Sequence, residues 1–312
     1  MSPNKKPPAH SPKPISLKER PSQVQVKDFG SPFTPPPSFA DFLASWPDIL
    51  AARDFKELVE AIKRAALKRK PIIMAMGAHV IKVGLNSIII DLMERGLITA
   101  LAFNGAGIIH DFEIAYCGQT SEDVARQLKT GAFGMARETA EFLNRAIICG
   151  AKEQRGLGEA VGAMIFQAAF PYKKFSLLAA AYRLHLPATV HVAIGTDVIH
   201  MHPQARGEAI GQTSLHDFRV FCSQVAQLEG GGVYLNVGSA VILPEVFLKA
   251  VSFVRHSGQP LESFTTAVFD FIRHYRPEQN VVKRVVGKKG KGYYFVGHHE
   301  LMIPLLAACL KC

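Results

Sequence analysis

The chain reads as an α/β protein built on a largely parallel sheet with helices on both faces. Short apolar runs alternate with helix-length amphipathic stretches from about residue 70 to the end. The short runs are apolar throughout, as strands covered on both faces must be. Small and polar residues flank several of these runs in similar positions, which fits the edge of an open parallel sheet.

Taken in order, residues 1–38 are rich in Pro, Lys and Ser and close on Pro35-Pro36-Pro37. Such a segment buries too little apolar surface to fold alone and is expected to be a disordered arm, leaving 39–312 as a single domain. Asp54 and Glu57 have capping-box spacing before a helix whose apolar face is Phe55, Leu58, Val59, Ile62 and Ala66. Strands are expected at residues 72–76, 97–103, 189–194, 232–235, 264–269 and 291–296. Helices are expected at 85–95, from Thr120 or Ser121 to 128, and at 138–149, 175–184, 217–228, 245–255 and 300–312.

Composition narrows the class. The chain has 312 residues, 48% of them hydrophobic, enough for a substantial core. No apolar run approaches the roughly 20 residues needed to cross a bilayer, and the polar N-terminus has no signal-like apolar stretch. Five scattered cysteines (Cys117, Cys149, Cys222, Cys309 and Cys312) do not suggest a disulfide framework. A reducing cytoplasm is the expected location. The net charge of +10 collects in the first 28 residues and in Lys283, Arg284, Lys288, Lys289 and Lys291. Neither cluster is interleaved with stacking aromatics, which argues against nucleic acid.

The most informative stretch is Asn104-Gly105-Ala106-Gly107, followed by His110, Asp111 and Glu113. It reads as a small-residue turn that lets backbone N–H groups approach a ligand, with acid–base groups beside it. Gly195, Thr196 and Asp197 with His200 and His202 follow the strand at 189–194. Gly230-Gly231-Gly232 precedes Val233 of the next strand, with Asn236 and Ser239 beyond. Thr265, Thr266, Ala267 and Asp270 mark the fourth. Parallel strands are expected to gather these four groups at one nucleotide-binding edge. No metal site is expected, because the histidines lack ligand spacing. They serve instead as hydrogen-bond partners. Lys283 is the candidate for a Schiff-base lysine.

These residues resemble deoxyhypusine synthase. The stretch from Val83 to Gly107 with Asp111 resembles that family's first NAD-contacting segment, and Leu186 to Asp197 its threonine–aspartate segment. Gly230-Gly231-Gly232, Thr266-Ala267, Phe269-Asp270, Arg276-Pro277-Glu278 and Leu301 to Ala307 follow its later pattern, so the resemblance covers residues 70–312. It implies a Rossmann-like NAD-binding domain related to sirtuins and a homotetramer with NAD sites near subunit interfaces. It also implies oxidation of spermidine and transfer of a butylamine group through a lysine imine. NAD is then expected at Ala78, His79, Lys82, Asn104, Gly105, Ala106, Asp197, Gly231, Thr266, Ala267, His298 and His299.

The substrate side departs from the family. Lys283 stands near the family's catalytic lysine, with Val285 at the ungapped position. Asn236 replaces its histidine, Ile109 and His110 its paired acids, and Phe271, Ile272 and Arg273 its Gly-Ser-Asp stretch. Lost carboxylates are expected to disfavour a polycation and to tolerate a neutral or anionic substrate. His110, Asp111, Asn236 and Lys283 are the catalytic candidates; His110, His202, Asn236 and Arg273 are those for substrate binding. The run through His110 and Asp111 also resembles an archaeal ornithine cyclodeaminase group.

Three functions remain open. The first is an NAD-dependent enzyme acting on a small amine or amino acid, by transferase, deaminase or oxidoreductase chemistry. The others are a genuine deoxyhypusine or homospermidine synthase, and a non-catalytic NAD-binding scaffold with an acidic partner for its basic arm.

Overall fold

The computed structural model describes Ser31 and residues 38–312, so nearly all of the Pro/Lys-rich arm lies outside the described residues. The chain divides into two compact units, Met1–Arg53 and Asp54–Cys312. In the first, helix α1 (Phe39–Ala44) opens on a capping box in which Asp41 N–H donates to Ser38 Oγ and Ser38 N–H to the Asp41 carboxylate. Helix α2 spans Leu50–Leu67. Asp54 and Glu57 are therefore interior to a helix rather than its cap, because Ala51 and Ala52, strong helix formers, extend it upstream.

In the second unit, β1 (Ile72–Met76) leads through α3 (His79–Lys82) and α4 (Asn86–Glu94) to β2 (Ala100–Asn104). Five helices follow: α5 (Gly105–Cys117), α6 (Val124–Thr130), α7 (Arg137–Lys152), α8 (Leu157–Gln167) and α9 (Leu177–Arg183). Then come β3 (Ala188–His191), α10 (Gly207–Ala226), β4 (Val233–Val237), α11 (Ile242–His256) and β5 (Thr265–Asp270). A short helix α12 (Tyr275–Pro277) and a π-helical turn (Glu278–Lys283) precede β6 (Lys291–Val296) and α13 (His299–Lys311).

The six strands form one parallel sheet in the order β3-β2-β1-β4-β5-β6. This is a doubly wound order whose reversal falls between β1 and β4. Ile73, Ala75, Ala100, Ala102, Tyr234 and Val268 face one way, onto α10 and α11. There the rings of Tyr234 and Phe247 stack with centroids 3.7 Å apart. The alternate residues face the other layer, where Gly107 of α5 lies against the Phe103 ring. Among the described residues no helix is long and apolar enough to cross a membrane.

Besides the short helices α1, α3 and α12, two long helices run where the sequence suggested none. The stretch after Asn104 is helical from Gly105, with Asn104 as N-cap: its Oδ1 accepts from Gly107 N–H at 3.1 Å. The small-residue turn is thus the first turn of α5. Helix α8 is the second. Gly158 lies where a Cβ would stand 2.0 Å from the Ala188 carbonyl oxygen, so glycine lets this helix press onto β3.

Candidate functional site

The carboxyl edge of the sheet carries a cavity of about 240 Å3 beside the first turns of α5. Lys82 from α3, Ala106, Ile109, His110 and Glu113 from α5, and Thr139 from α7 line it. Glu122 and Gly134 reach it from the segments around α6, and Thr196 and Asp197 from the loop after β3. A larger cavity of about 330 Å3 lies between α8, α9 and α10. Its buried acid, Asp217, is engaged by the N–H groups of Gly158 and Val190 at 2.9 and 2.8 Å.

Asp197 is the unusual group of the carboxyl-edge cavity. Its side chain is 5% exposed, and its Oδ2 has no hydrogen-bond partner among the described residues. Burial raises its pKa to about 6 against the opposing hydrogen bond from Thr196. The carboxylate lies against the Cα of Gly105, where a Cβ would be 1.8 Å from Oδ2. Gly105→Ala is therefore expected to displace Asp197 and to lower stability by about 1–3 kcal/mol. A thermal melt identical to that of the parent protein would refute this placement.

His200 stands beside Asp197, with Nε2 3.9 Å from Oδ2. Its Nδ1 accepts from Gly195 N–H at 3.2 Å, and its buried Nε2 has no partner among the described residues. Across the cavity, His110 Nδ1 is 2.6 Å from Thr120 Oγ1, and the Thr120 hydroxyl donates to Glu113 Oε2. Thr139 donates to Glu113 Oε1 at 3.1 Å. Burial, and secondarily the charge of Lys82, lowers the His110 pKa to about 4. Burial raises that of Glu113, against the hydrogen bonds it receives.

A second group sits over β1, β5 and β6. His79, Phe271, His298 and His299 pack ring against ring, with Phe271 centroids 4.9, 5.3 and 4.6 Å from those of His79, His298 and His299. His299 is fully buried, and its Nε2 is 3.1 Å from the Phe269 carbonyl oxygen. The N–H therefore belongs to Nε2, and Nδ1 is an acceptor left without a partner among the described residues. Ala78 begins the short helix α3, which carries His79 to this cluster and Lys82 to the cavity.

Other expected site residues fall elsewhere. Gly231 lies at the amino edge of the sheet: it precedes β4, donates to the Ser263 carbonyl at 2.7 Å, and has φ +113°. The triple glycine is a turn that enters the sheet, on the opposite side from the cavity. Thr266 and Ala267 are buried within β5, and Thr266 Oγ1 donates to the Val281 carbonyl at 2.7 Å. The four groups do not share one edge.

Asp111 points away from the cavity. It is fully buried and accepts from Ser176 Oγ and the N–H groups of Leu177 and Leu178 at 2.5, 2.8 and 3.1 Å, closing the N-terminus of α9. Adjacent helical residues diverge by about 100°, which separates it from His110. Asn236 is buried, its Nδ2 donating to the Ser239 carbonyl at 2.9 Å. Lys283 is exposed and paired with Glu278 at 2.8 Å; Arg273 pairs with the same carboxylate and lies over the Tyr294 ring. None of these four lines the cavity. His202 braces its wall, Nε2 2.9 Å from the Gly134 carbonyl oxygen.

The electrostatics differ from the expectation of lost carboxylates. Glu113, Glu122 and Asp197 line the cavity against a single lysine, and Arg273 does not reach it. Glu113 was legible as the residue one helical turn after His110, once the stretch is taken as helix. Glu122, in a loop, carried no such signal. No three His, Cys, Asp or Glu side chains cluster as a metal site among the described residues.

No family model matches the chain, and no curated protein does. Among solved structures, a putative deoxyhypusine synthase from Entamoeba histolytica matches with a TM-score of 0.54 at 11% identity, covering 90% of this chain and 95% of that one. ArgZ, an arginine dihydrolase from the ornithine-ammonia cycle in cyanobacteria, matches at 0.48 and 14% identity, over 84% of this chain and 33% of its own. The ternary complex of AgrE with ornithine and NAD+ matches at 0.49 and 14%, over 82% and 32%. The chain spans about a third of the length of the last two. The likeness to the Entamoeba histolytica protein runs through nearly the whole of both chains, and the fold is deoxyhypusine synthase-like.

Proposed function

We propose that this protein is an NAD-dependent enzyme acting on a small amine or amino acid. The observation that carries the reading is Asp197 Oδ2, a buried acceptor without a partner among the described residues, in a cavity it shares with Glu113 and Glu122. An ammonium group brings three N–H donors and the opposite charge. The cavity volume, below the roughly 300–1,000 Å3 usual for ligand sites, suits a small substrate rather than a whole dinucleotide.

The dinucleotide fits the neighbouring edge better. The ring cluster offers the exposed faces of Phe271 and His298 to a flat heterocycle. In this reading Ala78, His79, His298 and His299 hold the cofactor, with Lys82, Asn104, Gly105, Ala106 and Asp197 where it meets the substrate. Gly231, Thr266 and Ala267 take no part. When bound, NAD supplies a hydride acceptor and can later return the hydride. The protein's own part is to bind the amine through Asp197 and Glu122 and to take a proton at His110. Lys82 lines the cavity and gives the butylamine-transfer alternative a lysine, which Lys283 does not. Exposed Val124, Met135, Ile194 and Met201 near the mouth fit a homo-oligomer, a tetramer by the family resemblance.

Anaerobic incubation with NAD and a panel of spermidine, putrescine and basic amino acids is expected to yield reduced-nicotinamide absorbance with at least one member. Bound NAD with silence across the panel would overturn the enzymatic reading and leave the scaffold.

A further inference from the structure

His110 and Glu113 stand one turn apart on α5, and the helix stops at Gly118, so the chain folds back to bring Thr120 between them. The side chains of His110 and Glu113 are 17% and 21% exposed. A threonine hydroxyl has one proton to give and lone pairs to offer. Glu113 accepts at both oxygens, from Thr120 and from Thr139. The Thr120 proton is therefore spent on Glu113, and its oxygen faces His110 Nδ1 at 2.6 Å as an acceptor. A nitrogen that close to an acceptor must carry the hydrogen.

We propose that Thr120 and Glu113 are positioning residues that hold His110 as its Nδ1–H tautomer, so that Nε2 presents a lone pair as the proton acceptor of the cavity. The inference rests on the reading of His110 as the acid–base group and adds how that group is oriented. The proton balance is simple. A substrate proton moves to Nε2, the ring becomes imidazolium, and the Nδ1–H bond to Thr120 stays in place. The negative charge of Glu113 then stabilises the cation through the hydroxyl, as a buried acid does behind other catalytic histidines.

The other charged groups lining the cavity are Lys82 from α3, Glu122 from the segment before α6 and Asp197 from the loop after β3. Lys82 opposes protonation of His110, as burial does, so the resting ring is neutral and its tautomer is defined.

The test reads the tautomer directly. The full chain is labelled with 15N-histidine, and long-range proton–nitrogen correlations are recorded at neutral pH, with His110 assigned by its loss in His110→Gln. The expected pattern is Nδ1–H in the parent protein, retained in Thr120→Ser. In Thr120→Val, which keeps the shape but removes the acceptor, the pure Nδ1–H signature is expected to be lost. An Nε2–H or doubly protonated His110 in the parent protein overturns the proposal, and so does a Thr120→Val spectrum that still shows pure Nδ1–H. The parent and Thr120→Ser spectra decide even if the valine variant fails to fold. No substrate or NAD is needed, so an inert protein with the expected tautomer would sink the proposed function and leave this inference standing.

Discussion

His110→Gln is expected to lower amine-dependent NAD reduction by about two to four orders of magnitude, the usual worth of a positioned acid–base group. Glutamine keeps polar atoms near Thr120 but cannot take a proton, so the loss should fall on turnover, with KM for the amine little changed. The pH dependence separates the two roles. A general base works when unprotonated, and His110 is already held down to about 4 in the free protein, so kcat should stay level through neutral pH and fall only well below the range in which kcat/KM falls. Asp197 must be ionised to hold an ammonium group, and its carboxyl is raised to about 6 in the free protein. The ratio kcat/KM should therefore fall earlier, as pH drops through about 6, because it reports groups of the free enzyme. Rate measurements across this range would refute the assignment if both quantities fell together or if His110→Gln changed KM alone.

The sheet was legible because fully buried parallel strands have no polar face to interrupt them. Residues 72–76 were expected as a strand, and β1 occupies that range with every residue buried; β6 also occupies its expected range, 291–296, as a partly exposed edge strand. Helices that use glycine for close packing were not legible. In α8 the glycine at 158 lowers helix propensity while allowing contact with β3, so local preference and tertiary packing disagree. The same conflict turned the start of α5 into an apparent loop.

For the site, Lys82, Ala106, His110 and Asp197 were named from sequence and line one cavity. Gly231 shows why others were misplaced. A glycine turn that precedes a strand lies at its amino end, so the strand expected at 232–235 already put this one away from the carboxyl edge, and β4, starting at Val233, keeps it there. His110 and Asp111 show the second difficulty. Neighbours in sequence look like one site until the helix carries them to different sides.

Asp111→Ala is expected to cost about 3–5 kcal/mol at neutral pH, since it strands three buried donors at the start of α9 and each unmet donor costs about 1–3 kcal/mol. Ser176 Oγ accepts from Ala179 N–H at 3.0 Å as the cap of that helix, so losing its anchor loosens the cap as well. A shift of roughly 10 °C in Tm follows for a unit of this size. The sign of the pH dependence is fixed by the carboxyl itself. Burial raises its pKa from 3.8 to about 6, against three opposing hydrogen bonds. The folded state thus holds this proton more tightly than the unfolded state. Its contribution to stability is full below about pH 4 and is lost as pH rises through about 6, a change of about 3 kcal/mol. The deficit of the alanine variant should therefore be larger at about pH 5 than at about pH 7. Denaturant unfolding of both proteins at the two values reads this directly. A deficit that shrinks on acidification would mean that the hydrogen bonds from Ser176, Leu177 and Leu178 outweigh burial and that the carboxylate, not the acid, is the form the fold prefers.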